Sequence, residues 1–282
     1  MTAGSDPPAP VRLEKRGPVA LLWLDKPPVN VLGAKMLDAL VERLDEVERD
    51  PEYRVVVLAS AQERAFAAGA NIREMAPLDI AGARVHGGRG QGVTVRLERL
   101  PLPVIAAVHG TCVGGGCEVA LACDLIVASD DAVFGQPEIN LGVMPGWGGT
   151  QRLPHRVGEA RARWWIYSGE SVPAAEAAAQ GLVLKVVPRA ELLSTALGMA
   201  ETLATKPPIA LAAAKYAIHR AAAPGLESGL LYELELWSRL FGTLDQKEGM
   251  QAFLEKRLAR YRGRSDWAME TAGFPWEDRG AE

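Results

Sequence analysis

The sequence predicts an α/β protein, with a βαβ-type core to about residue 190 and a helical C-terminal portion, and three observations carry that reading. Val55–Ala59 and Val104–Val108 are short continuous apolar runs, as expected of strands buried on both faces. Between the early strands lies Met36 to Asp50, in which Met36, Leu37, Leu40, Val41, Leu44 and Val47 fall at helical spacing. From about Ala160 the texture changes to one helical pattern after another.

Taken in order, Met1 to Pro10 is rich in Pro, Ala, Gly and Ser and reads as a disordered lead-in, so folding is expected to start near Val11. Val11–Lys15 and Val19–Leu24, separated by Arg16-Gly17-Pro18, read as a hairpin. The helix that follows is stopped by Pro51. Asp79 to Gly92 carries five glycines and reads as flexible. After Val104–Val108 come a glycine-rich turn, an apolar helix from about Gly115 to Cys123, and strands at Leu125–Ala128 and Ala132–Phe134. The later helices are expected at Ala160–Tyr167, Ala174–Gln180, Ala190–Thr205, Ile209–Ala222, Leu226–Phe241 and Asp245–Tyr261, with one late strand at Leu182–Val187. This divides the chain into a core (11–190), a helical region (191–262) and a stretch, 263–282, that is either a tail or a docking arm.

Composition excludes several classes of function. The net charge of −4 offers no broad field for nucleic acid or anionic membrane, and no apolar run approaches a spanning helix. With no signal-peptide pattern at the start, a cytoplasmic protein is expected. Cys112, Cys117 and Cys123 are odd in number and lie in an apolar stretch without a C-x-x-C pair, which predicts buried free thiols and no metal site. The glycines of 110–118 are followed by no Lys-Ser or Lys-Thr and break the dinucleotide spacing at Val119. Gly169-Glu170-Ser171-Val172-Pro173 lacks the closing glycine of a nucleophile elbow, and no His-Glu-x-x-His occurs.

Two turns remain, Ala67-Ala68-Gly69-Ala70-Asn71 and Gly110 to Glu118, each following a strand. In the second, a helix N-terminus behind glycines can stabilise an enolate oxygen, or the glycines can simply pack helix on strand. Glu118 lies one helical turn after Gly115, inside the apolar helix, and Glu138 follows in a Pro-bounded loop after a strand. A carboxylate in an apolar helix calls for a partner or a task.

At this point the chain resembles the enoyl-CoA hydratase/isomerase, or crotonase, superfamily. The motifs that carry the resemblance are Phe66-Ala67-Ala68-Gly69-Ala70-Asn71-Ile72-Arg73-Glu74-Met75, Pro103 to Gly110, Gly114-Gly115-Gly116-Cys117-Glu118, Phe134-Gly135-Gln136-Pro137-Glu138, Pro145 to Leu153, and Glu248 to Arg257. They run in the family's order over about Val11 to Tyr261. The resemblance implies a spiral of ββα units with a helical C-terminal trimerisation region, assembled as a homotrimer or homohexamer. It implies an acyl-CoA thioester as substrate and no retained cofactor, while the charge and hydropathy above lead us to expect no nucleic-acid or membrane partner. It places the oxyanion-hole N–H groups on Ala70 and Gly115 and the acid/base pair on Glu118 and Glu138. Both glutamates being present favours reversible hydration of a trans-2-enoyl-CoA to a 3-hydroxyacyl-CoA, with Glu118 assigned to the water and Glu138 to the C2 proton. By family position, Lys26, Ala68, Arg73, Trp147 and Lys256 are expected to meet the CoA or acyl group, Lys256 from a neighbouring subunit's last helix. Trp147 stands where many hydratases have a smaller residue and reads either as narrowing the acyl pocket or as packing in the core, packing being favoured, and Asn71 stands where many members carry Asp. The glycine-rich 79–92 segment is expected to border the acyl pocket. Other readings are an isomerase, decarboxylase or thioesterase on the same platform, or a non-catalytic RNA-binding relative. The acidic helix at Leu37–Asp50 argues against the last.

Overall fold

A computed structural model describes residues 9–220 and 225–262. The expected lead-in is therefore described only at its end, and the expected tail or arm at 263–282 lies outside the described residues.

The chain opens with β1 (Val11–Arg16) and β2 (Val19–Leu24), the expected hairpin, paired antiparallel from Val11↔Leu24 to Arg16↔Val19. Then α1 (Ala34–Arg49) buries Met36, Leu37, Leu40, Leu44 and Val47, the apolar stripe legible in its spacing. Three units follow in which a long strand is succeeded within a few residues by a short one. The first comprises β3 (Val55–Ser60), β4 (Ala65–Ala67) and helices α2 (Ile72–Met75) and α3 (Ile80–Arg99). The second comprises β5 (Val104–Val108), β6 (Thr111–Val113) and α4 (Gly115–Leu121). The third comprises β7 (Leu125–Ser129), β8 (Val133–Gly135), a 3-10 turn at Pro137–Leu141, and α5 (Gly149–Val157) with α6 (Glu159–Ser168). Next come β9 (Ser171–Pro173), α7 (Ala174–Ala179), β10 (Lys185–Val187), α8 (Leu192–Ala204), α9 (Pro208–Arg220), α10 (Leu226–Leu240) and α11 (Leu244–Leu254).

The long strands form one sheet, in the order β1-β2-β3-β5-β7-β10, parallel from β2 onward. The short strands form a second sheet in the order β4-β6-β8-β9. This is the strand, strand, helix winding that the resemblance implies. Alternation along the long strands explains their unbroken apolar character. Val56, Leu58, Val104, Ala106 and Ile126 face the main core with α1, whereas Val55, Val57, Ile105, Ala107 and Val127 face Leu192, Ala196 and Ala200 of α8.

Two expectations need correction. The glycine-rich 79–92 segment is the first half of the twenty-residue α3. Asp79 caps it by accepting the Gly82 N–H at 2.8 Å, Val93 and Leu97 anchor it in the core, and Arg96 joins Asp45 at 2.9 Å and Glu48 on α1. Capping and packing outweigh the roughly 1 kcal/mol that each glycine costs a helix. The last helix also ends earlier than expected, at Leu254, so Lys256 lies past it in a turn with φ +55°.

Candidate active site

The two glycine-containing turns come together because β4 and β6 are parallel neighbours, and each turn leaves the same end of its strand. Leu32 bridges to the first turn through its N–H to Gly69 O (2.9 Å) and the Asn71 N–H to Leu32 O (3.1 Å), bonds that leave the Ala70 N–H outside the bridge. Gly115 is the first residue of α4, so its N–H has no acceptor one turn back. A side chain starting from Gly69 would come within 3.9 Å of the Gly115 nitrogen, which sets the turns side by side. Asn71 braces this rim. Its Oδ1 accepts the Arg73 N–H at 3.2 Å and its Nδ2 donates to Glu74 at 2.7 Å, while Glu74 accepts the Ala34 N–H at 3.0 Å.

Glu118 is buried on α4, 2% exposed, and its partners were not legible in the sequence. One oxygen, Oε1, accepts two backbone N–H groups, from Trp147 at 2.7 Å and Gly149 at 2.8 Å. Burial raises the affinity of Glu118 for its proton, and these two donors, with the charge of Arg152, oppose the rise. Glu138, half-buried on the first turn of the 3-10 segment, has its Oε1 3.1 Å from where a Gly114 side chain would begin. Its carboxyl is pushed up to about 7, first by burial and then by the charge of Glu118. The buried Gln136 amide, with its nitrogen toward Glu138, donates to both carboxylate oxygens at 3.2 Å. The two carboxylates thus share one end of the short sheet with the Ala70 and Gly115 amides, in unlike surroundings.

Trp147 is 3% exposed, in line with packing. Its indole is pressed between Gly90 of α3 and Gly115 of α4, because a Cβ at either would fall within 2.1 Å and 2.4 Å of the ring. The Trp147 backbone thereby serves Glu118 while its ring supports Gly115. His86 on α3 lies on the same indole, 5.9 Å between centroids. Lys26, half-buried after β2, and Ala68, whose N–H donates to Val29 O at 3.0 Å, share the rim with Ala70, and Arg73 is exposed on α2. Among the described residues no contact brings Lys256 to this site within one chain. Cys112, Cys117 and Cys123 are free and buried, and burial pushes Cys123 up to about 12, so it is an inert thiol.

The sequence pattern of the enoyl-CoA hydratase/isomerase family matches residues 14–264. The chain belongs to that family. It is 42% identical over 248 residues to a short-chain-enoyl-CoA hydratase of Clostridium acetobutylicum, covering 88% of this chain and 95% of that one. It is 43% identical over 247 residues to the 2,3-dehydroadipyl-CoA hydratase of Escherichia coli, covering 87% and 96%. Among solved structures, it superposes on the enoyl-CoA hydratase from Bacillus anthracis with a TM-score of 0.85 at 37% identity, covering 89% of this chain and 98% of that one. The spiral read from the motifs is thus the fold of its relatives. No helix among the described residues is long and apolar enough to cross a membrane.

Proposed function

We propose that this protein is an enoyl-CoA hydratase, adding water reversibly to a trans-2-enoyl-CoA to give the 3-hydroxyacyl-CoA. The observation that carries the reading is the convergence of two differently tuned carboxylates with two outward backbone N–H groups. The thioester oxygen accepts from the Ala70 and Gly115 amides, which stabilise the enolate that forms as C3 is attacked. Each such donor is worth roughly 2.7–4 kcal/mol in the barrier. Glu118, whose ionised form the Trp147 and Gly149 N–H groups favour against the effect of burial, takes the proton of the attacking water. Glu138, at about 7, keeps enough of its protonated form at neutral pH to deliver a proton to C2. CoA is part of the substrate, and the chemistry uses no retained cofactor.

Lys26, Ala68 and Arg73, around the Ala70 turn, are the CoA contacts this reading favours, with Trp147 as a wall of the acyl pocket. The helices α10 and α11 expose Leu230, Leu234, Trp237, Phe253 and Leu254, which supports assembly as a homotrimer or homohexamer, with Lys256 reaching a neighbouring site. The free buried thiols suit a reducing compartment such as the cytoplasm.

The test is hydration of crotonyl-CoA and of a longer 2-enoyl-CoA, in labelled water, by the wild type beside Glu118→Gln and Glu138→Gln. Label at C3, with turnover abolished in both variants, supports the proposal. A wild type that binds the thioesters yet hydrates none of them overturns it in favour of another reaction on the same oxyanion hole.

A further inference from the structure

The two N–H groups on Glu118 come from the end of an irregular turn, residues 145–148, and from Gly149, the first residue of α5. What grips this turn is one face of α3. Gln91 Nε2 donates to Gly146 O at 2.9 Å and Thr94 Oγ1 to Trp147 O at 2.8 Å. Glu98 acts one step removed. Its carboxylate accepts both arms of the Arg152 fork, Nε at 2.7 Å and Nη2 at 2.5 Å, and the third nitrogen, Nη1, donates to Trp147 O at 2.8 Å. Residues 91, 94 and 98 are spaced to share one helix face. The guanidinium abuts the turn through its Nη1 end, since a Cβ at Gly148, where φ is +113°, would fall 1.9 Å from Nη1. The pair is mostly buried, with the Arg152 and Glu98 side chains 14% and 24% exposed.

We propose that Arg152, aimed by Glu98, is a positioning residue for Glu118: it fixes the Trp147 carbonyl so that the N–H groups of Trp147 and Gly149 meet on Oε1. The inference rests on the hydratase reading for the role of Glu118 and on the geometry above for everything else. A peptide is planar, so pinning the carbonyl of Trp147 fixes the Gly148 N–H and the direction in which the chain approaches Gly149. Lysine keeps the charge but cannot hold Glu98 with two parallel bonds and Trp147 with a third. The positive charge also favours the ionised Glu118 that must accept a proton from water.

The experiment compares wild type, Glu118→Gln, Arg152→Lys, and a double variant, Glu98→Met with Arg152→Met, which leaves neither charge unpaired. Two quantities are read: kcat and KM for crotonyl-CoA against pH, and the titration of the Glu118 carboxyl by carbon NMR, its signal identified by its loss in Glu118→Gln. In the double variant kcat is expected to fall about 10- to 100-fold with KM little changed. Glu118 is expected to titrate about half a pH unit or more higher, and Arg152→Lys to lie between the two. A folded double variant with the wild-type kcat profile overturns the proposal. So does a loss of kcat with an unmoved Glu118 titration, which is what a merely structural pair would give. Where the double variant fails to fold, Arg152→Lys decides by the same two readouts. A wild type inert on enoyl-CoA sinks the hydratase reading, and the titration still decides the role of Arg152.

Discussion

Glu138 lends itself to a test in which loss of activity and gain of stability go together. Its carboxyl stands at about 7 in the folded chain against 4.5 for the free group, chiefly through burial. The folded state therefore binds the proton more tightly than the unfolded state. The stability it contributes is complete below about pH 4.5 and is lost as pH rises through about 7. A rise from 4.5 to about 7, at about 1.4 kcal/mol per pH unit, would be worth roughly 3 kcal/mol for a fully dehydrated group. Glu138 is only half-buried, so about 2 kcal/mol is the working figure. Glu138→Gln keeps the size and removes the charge. In urea titrations at fixed protomer concentration, variant and wild type are expected to differ little at pH 4.5. At pH 8.5 the variant is expected to be about 2 kcal/mol the more stable, while being inactive at both. An equal difference at the two pH values would show that ionisation of Glu138 does not strain the fold, and would refute the argument.

Two further outcomes follow from packing. Gly90→Ala drives a methyl group into the Trp147 indole, so a loss of about 1–3 kcal/mol is expected in urea unfolding, with a fall in kcat because the ring rests on Gly115; unchanged stability would mean that the ring is free to move. Lys215 is buried, donating to the Leu97 and Leu102 carbonyls at 3.0 Å and pairing with Asp124 at 2.8 Å, so Lys215→Met leaves the half-buried Asp124 carboxylate with only the Val104 N–H and His219 and is expected to cost about 2–4 kcal/mol, whereas a loss below about 1 kcal/mol would show that water and His219 replace the ammonium.

Much of this was legible because local pattern and tertiary use agree. The long strands announce themselves as unbroken apolar runs, because both of their faces are buried, and α1 by a buried face that repeats every three to four residues. The Ala70 and Gly115 turns and both glutamates lie in contiguous motifs. The short strands β4, β6 and β9 are three residues each, too few to show a period. Helix α3 was hidden by composition, as glycine propensity masks a helix whose stability comes from its cap and from contacts distant in sequence. Asp79 ahead of it and Val93 and Leu97 four apart were the available signals. Arg152 escaped notice because its partners are 54 residues upstream at Glu98 and on the backbone of Trp147, and a carbonyl has no signature in sequence.

The Trp147 indole between two glycines also constrains how the protein can diverge. A larger residue at 90 is excluded while tryptophan occupies 147, and a smaller one at 147 opens space beside Gly90 that a side chain there or movement of α3 would fill. The two positions can drift only as a pair, so lineages that exchange one are expected to carry a matching change at the other, and the route between them passes through a temporarily unfit intermediate.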